Sequence, residues 1–198
     1  ARLDILYHNG GIYLDTDVEV LKNLDSILKY DGVCGFEDKN KLSTAIIACK
    51  PGFFLFKQWL KLYQDKTFIL KDGTLNEEPN VIPFTKLCQR YGLNLNGKRQ
   101  RIKGLEIFPS DVFSPKNYKT GKINITSNTL TIHNFKESWK NESEIKMHKR
   151  EIRLIKKYGE NMGSKLALMV NLPAHIHNAV KKRGLKKEIN HIFQKIKS

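Results

Sequence analysis

The sequence predicts an α/β fold. Three observations carry that prediction. Short β-branched and aromatic runs alternate with amphipathic stretches through the first two-thirds of the chain. Gly and Pro punctuate them at short intervals. A content of 40 % hydrophobic and 10 % aromatic residues over 198 positions is enough for one real core. The last third is helical in pattern, so the chain reads as a body over residues 1–139 followed by a basic helical extension over 140–198.

In order, Leu3, Ile5 and Leu6 make residues 1–8 the end of a helix, broken at Asn9-Gly10-Gly11. The runs IYLD and VEV, within 12–20, read as a strand. LDSIL (24–28) is a helical turn, and GVCGF (32–36) and AIIAC (45–49) are buried strands. After Pro51-Gly52, FFLFKQWLKLY (53–63) has the spacing of an amphipathic helix. Residues 65–80 are polar and turn-rich, which predicts a loop or lid. VIPFTKLCQRYGL (81–93) reads as a helix ended by Gly92. GLEIFPSDVFSP (104–115) and NTLTIHNF (128–135) give further short strands, with KTGK (119–122) as a hairpin turn. A helix runs from Glu142 to a stop at Gly159, and AHIHNAVKKRG (174–184) and LKKEINHIFQKI (185–196) suggest two more basic helices.

Charge is unevenly spread. The net charge is +15, but residues 1–139 hold only +5 of it while residues 140–198 hold 15 Lys and Arg against 5 Asp and Glu. Such a field admits an anionic substrate, an anionic membrane or nucleic acid as partner. Nucleic-acid binding is disfavoured, because there is no RNP-like aromatic strand, zinc-finger spacing or clear helix-turn-helix. No apolar run reaches the roughly 18–20 residues that span a bilayer, and mean hydropathy is −0.47. Cys34, Cys49 and Cys88 form no CxxC pair, and two of them lie in apolar runs. They read as buried thiols in a reducing compartment, which places the protein in the cytoplasm.

The chemistry concentrates in YHNGGIYLDTDVEV, residues 7–20. A strand ending in Asp-x-Asp aims Asp15 and Asp17 at one face, since side chains alternate with period two. Like charges so placed repel unless a cation neutralises them, and hard oxygen ligands favour Mg²⁺ or Mn²⁺. The end of a buried strand is also where open α/β sheets bind ligands. A metal-dependent phosphoesterase could use the same acids, but a two-ion site needs a wider carboxylate cluster, and residues 1–139 show no second compact acidic motif.

The block ARLDILYHNGGIYLDTDVEV (1–20) resembles the signature of glycosyltransferase family 32, the enzymes with a DXD sugar-binding region that include capsular-polysaccharide and fungal mannosyltransferases. The resemblance extends over most of residues 1–139. It implies a GT-A-like fold, a nucleotide-sugar donor (UDP- or GDP-linked), a divalent cation (Mn²⁺ or Mg²⁺), a saccharide or lipid-linked saccharide acceptor, and retention at the anomeric carbon. The implied setting is surface or capsular polysaccharide synthesis. Carried over by position, Asp15 and Asp17 match the metal and diphosphate acids. Arg2 matches an arginine that contacts the donor's sugar or phosphates, and Tyr13 an aromatic residue near the donor. The family's sugar-contacting Asp and its first nucleotide-binding strand fall before Ala1.

Downstream, TIHNFKESW (131–139) lies where the family carries a His and then Ser-Trp. His133 is the expected third metal ligand, and the Ser138 hydroxyl and Trp139 indole N–H are expected donors to the diphosphate. Asn134 replaces a second His and could still offer a carbonyl oxygen. Glu37-Asp38 reads more readily as a solvated turn than as an acceptor contact. Thr44 stands where the family commonly has Asn, and Asn80 is a speculative donor contact. His8, His148, His175, His177 and His191 read as surface or helix residues. No nucleophile or general base is evident.

The end of the chain sets Lys181, Lys182, Arg183, Lys186 and Lys187 beside Leu185, Ile189, Ile192, Phe193 and Ile196. This cationic amphipathic pattern has two readings. It is peripheral attachment to the anionic inner leaflet, or a helix that packs its apolar side on the domain and keeps its charges solvated.

Overall fold

The computed structural model describes residues 1–64, 66–67, 69–70, 76, 78–136 and 140–183, the side chains of 181–183 excepted. The chain divides into two compact units, Ala1–Asn117 with Lys122–Lys136, and Tyr118–Gly121 with Glu137–Ser198.

The first unit opens with α1 (Arg2–Asn9), which buries Leu3 and Leu6. The chain then turns at Gly10, where φ is +69° and a Cβ would lie 2.7 Å from Pro51 Cδ and 2.9 Å from the Cys49 carbonyl oxygen. Only glycine fits that corner. It feeds β1 (Gly11–Leu14), which pairs antiparallel with β5 (Ile46–Cys49). Between them come β2 (Val18–Val20), β3 (Gly32–Asp38) and β4 (Lys41–Leu42); β6 (Gln100–Ile102), β7 (Leu105–Phe108) and β8 (Thr131–His133) follow. Among the described residues the main sheet has the order β1-β5-β3-β7-β6, with β4 on β3, and β2-β8 forms a separate ribbon. Only the β3–β7 contact in the main sheet is parallel. Strands and helices thus form a mixed α/β architecture compatible with a GT-A-like fold.

The central strands β3 and β5 are buried along nearly their whole length, as their unbroken apolar runs require. On one side pack α2 (Phe54–Gln64) and α3 (Val81–Arg90), where Trp59 stacks on Phe84 with ring centroids 4.0 Å apart. A second cluster joins Val33, Ile46 and Ala48 to Val112 and Phe113 of α4 (Ser110–Phe113). Close approach here needs Gly35, whose added Cβ would meet Phe113 Cδ2 at 2.8 Å. All three cysteines are free and buried, and burial pushes the thiols of Cys49 and Cys88 up to about 11 and about 12.

Three details of the first unit depart from the sequence pattern. Within GLEIFPSDVFSP only Leu105–Phe108 is strand, and Ser110–Phe113 form the short helix α4. IYLD and VEV form two strands in different sheets, because the chain turns between them. The β6–β7 hairpin, unmarked in the sequence reading, turns on Lys103 and Gly104, both at positive φ.

The second unit is a pair of antiparallel helices, α5 (Glu142–Tyr158) and α6 (Glu160–Arg183), joined at Gly159. Asn141 caps α5, accepting from the Glu144 N–H while the Glu144 carboxylate accepts from the Asn141 N–H. The helices touch at Gly163, where a Cβ would lie 2.5 Å from Ile155 Cα. Buried Asn171 bridges them, accepting from Arg150 at 2.9 Å and donating to the Met147 carbonyl at 3.2 Å. Residues 174–183 of AHIHNAVKKRG are therefore the second half of one long helix that contains Pro173, and Gly184 lies outside the described residues. LKKEINHIFQKI lies outside the described residues, as do parts of the 65–80 segment.

Candidate metal and donor site

β1 ends at Leu14, so Asp15, Thr16 and Asp17 form a turn, closed by the Val18 N–H donating to the Asp15 carbonyl at 3.0 Å. The two carboxylates come together by that turn and not by alternation along a strand. The Asp15 N–H donates to the Ala45 carbonyl at 2.8 Å, which anchors the start of the turn to the strand beside β1. Its end is held by the ribbon, in which Val18 pairs with His133. The Asn134 N–H donates to the Asp17 carbonyl at 3.0 Å, and the Lys136 N–H donates to Asp17 Oδ2 at 2.8 Å.

Asp15, Asp17 and His133 consequently converge, with one ligand atom from each lying within 4.8 Å of the others. His133 Nε2 is 3.5 Å from Asp17 Oδ1, and both side chains are largely buried. Arg2 reaches across from α1 and donates to Asp15 Oδ1 at 2.7 Å, while the Tyr13 hydroxyl donates to the same oxygen at 2.6 Å. Arg2 also donates to the Tyr13 hydroxyl at 3.1 Å and lies over its ring. The five residues Arg2, Tyr13, Asp15, Asp17 and His133 therefore form one constellation. Ser138 and Trp139 lie outside the described residues.

The electrostatics suit a cation. Burial holds the His133 imidazole below its ordinary value, against the opposing pull of Asp17, Glu37 and Asp15, and Lys116 lowers it further. The ring is thus neutral at pH 7, the form that ligates a metal. Burial also raises the Tyr13 phenol, and its bond to Asp15 adds to that, so it stays a hydrogen-bond donor. Among the described residues, His133 Nδ1 is buried without a hydrogen-bond partner. An unpartnered buried nitrogen is costly. Two carboxylates and an imidazole are a donor set that fits Mn²⁺ or Mg²⁺.

Sequence reasoning missed one neighbour, Lys116, and misread another, Glu37. Lys116 donates to the Asn134 carbonyl at 2.6 Å, so that oxygen is already engaged. No motif surrounds Lys116; only folding brings it to β8. Glu37 is not a solvated turn: it lies in β3 with its side chain 10 % exposed, paired with Lys41 at 2.8 Å and within electrostatic reach of His133. Thr44 and Asn80 are bonded to each other, the Thr44 hydroxyl donating to Asn80 Oδ1 at 3.0 Å.

Comparison with known proteins bears on the same stretch. Residues 1–33 match the family described as glycosyltransferase sugar-binding region containing DXD motif. That match confirms the family resemblance read from the sequence. The matched stretch holds α1, β1, the acidic turn, β2 and the start of β3, and with them four of the five constellation residues. An uncharacterized protein of Arabidopsis thaliana is 34 % identical over 126 residues, or 59 % of this chain and 17 % of its own length. Glucan organizing enzyme 1 of Cryptococcus neoformans is 31 % identical over 100 residues, or 46 % of this chain and 26 % of its own length. The chain thus spans about a sixth to a quarter of the length of these curated relatives. No solved structure matches it.

Proposed function

We propose that this chain is the metal-binding part of a glycosyltransferase that moves a sugar from a nucleotide-sugar donor, UDP- or GDP-linked, to a saccharide or lipid-linked saccharide acceptor. The reaction is retaining, and its setting is surface or capsular polysaccharide synthesis. The observation that carries the reading is the convergence of His133 on Asp15 and Asp17, two acids that lie in the stretch matched to DXD glycosyltransferases and more than a hundred residues before it in sequence.

Asp15, Asp17 and His133 would hold a divalent cation, Mn²⁺ or Mg²⁺, which would supply positive charge to stabilise a diphosphate leaving group. The chain's own groups prepare that site. Arg2 and Tyr13 both donate to Oδ1 of Asp15, which fixes the carboxylate and leaves Oδ2, bonded by no described residue, for a ligand. The Lys136 N–H fixes the Asp17 carboxylate at Oδ2, while the Asn134 N–H holds the Asp17 backbone carbonyl. The further donors of Arg2 offer a planar cation to a phosphate oxygen. Ser138 and Trp139 are assigned as additional diphosphate donors on the strength of the family resemblance.

The test is donor hydrolysis and transfer by the chain with Mn²⁺, set against Asp17→Ala. The variant is expected to fold and to lose both activities. A folded Asp17→Ala variant with undiminished turnover in EDTA would falsify the metal role.

A further inference from the structure

The outer face of α6 has no partner among the described residues. Gly163, Ala167 and Asn171 recur every fourth residue and are buried toward α5. At roughly 100° per residue, the opposite side carries Met162, Met169 and Ile176 at seven-residue spacing, with Leu168 and Leu172 beside them. These five side chains are 49–71 % exposed. One cation, Lys165, interrupts the stripe and is itself exposed.

We infer that this stripe is a seat for an anionic lipid bilayer, with α6 lying in the plane of the interface. Three observations select that occupant. The unit is strongly basic: residues 140–198 hold 15 Lys and Arg against 5 Asp and Glu. Lys165, the exposed cation within the stripe, presents its charge on the same face of α6. An anionic surface therefore complements the unit, whereas a second copy brings the same positive charge against it. The stripe is also aliphatic and continuous over four turns, which suits insertion of one helix face among acyl chains. Finally, no helix among the described residues is long and apolar enough to cross a membrane, so the helix lies on the bilayer and does not span it. This surface is separate in sequence from the Asp15–Asp17–His133 cluster, and its assignment does not depend on the transferase reading.

The experiment is co-sedimentation of the full 198-residue chain with vesicles of phosphatidylcholine alone or with about one-third phosphatidylglycerol, at about 0.15 M salt. The wild type is expected to bind the anionic vesicles at least about tenfold more tightly than the neutral ones. The triple variant Met169→Ser, Leu172→Ser, Ile176→Ser is expected to lose that binding about tenfold, with unchanged helicity. As an independent readout, Leu172→Trp is expected to show a blue-shifted emission that brominated lipids quench beyond the wild-type background. Three results would overturn the inference: no vesicle binding by the wild type; equal binding by the triple variant, which assigns attachment to charge alone; or a wild-type dimer that the triple variant dissolves, which makes the stripe a subunit seam.

Discussion

Asp15 Oδ1 takes two hydrogen bonds, from Tyr13 at 2.6 Å and Arg2 at 2.7 Å, so its carboxylate is oriented before any ligand arrives. Removing one donor should loosen it. Tyr13→Phe is expected to weaken Mn²⁺ binding by roughly tenfold, within the range for groups that orient metal ligands, with the thermal midpoint little changed. His133 sets the pH dependence. Its folded value lies below the unfolded value of about 6.5, so near pH 6 the unfolded chain binds more protons than the folded one. Its contribution is therefore a penalty that is absent above pH 7 and grows as pH falls through about 6.5 toward the lower folded value. Urea unfolding at pH 7.5 and pH 5 checks this: His133→Gln should lose less stability on acidification than the wild type. The identities of the five clustered residues were legible in the sequence from the DXD block and the downstream His. Lys116 was not, and Glu37 was read as a solvated turn, because neither lies in a motif and both reach the site only through tertiary folding.

At the scale of elements, the acidic turn works because two different sheets hold its ends. β1 is pinned to β5 on one side, and β2 to β8 on the other. The apolar periodicity marked β3, β5, α2, α3 and α5 in the sequence because each shows a clear buried face or run. It failed between Leu14 and Val18: the alternation continues through both strands, while the turn depends on the Asp15–Val18 hydrogen bond that no residue type announces. It also missed the first half of α6, where small and polar residues on the α5-facing side blur the helical pattern. That small side is essential to the helix pair. Gly163→Ala would place a methyl carbon 2.5 Å from Ile155 Cα, a backbone atom that cannot rotate away. The variant is expected to lose about 1–3 kcal/mol by chemical denaturation, with the loss confined to the helical unit.

At the scale of the whole molecule, the chain joins a nearly balanced α/β body to a strongly basic helical unit, and the two halves of the account separate along that line. The body carries the acids and the match to DXD glycosyltransferases; the helical unit carries the exposed stripe. Ligand-linked stability should reveal the first without reference to the second. Mn²⁺ is expected to raise the melting temperature of the chain, and a nucleotide-sugar added with Mn²⁺ to raise it further than either alone, since a ligand stabilises the state it binds. The central claim rests on three side chains acting as one cation site. Titration calorimetry of Mn²⁺ into the wild type, Asp17→Ala and His133→Ala tests it most directly. The account predicts one cation per wild-type chain and a loss of at least about tenfold in affinity in each folded variant. Equal affinity in all three would contradict it.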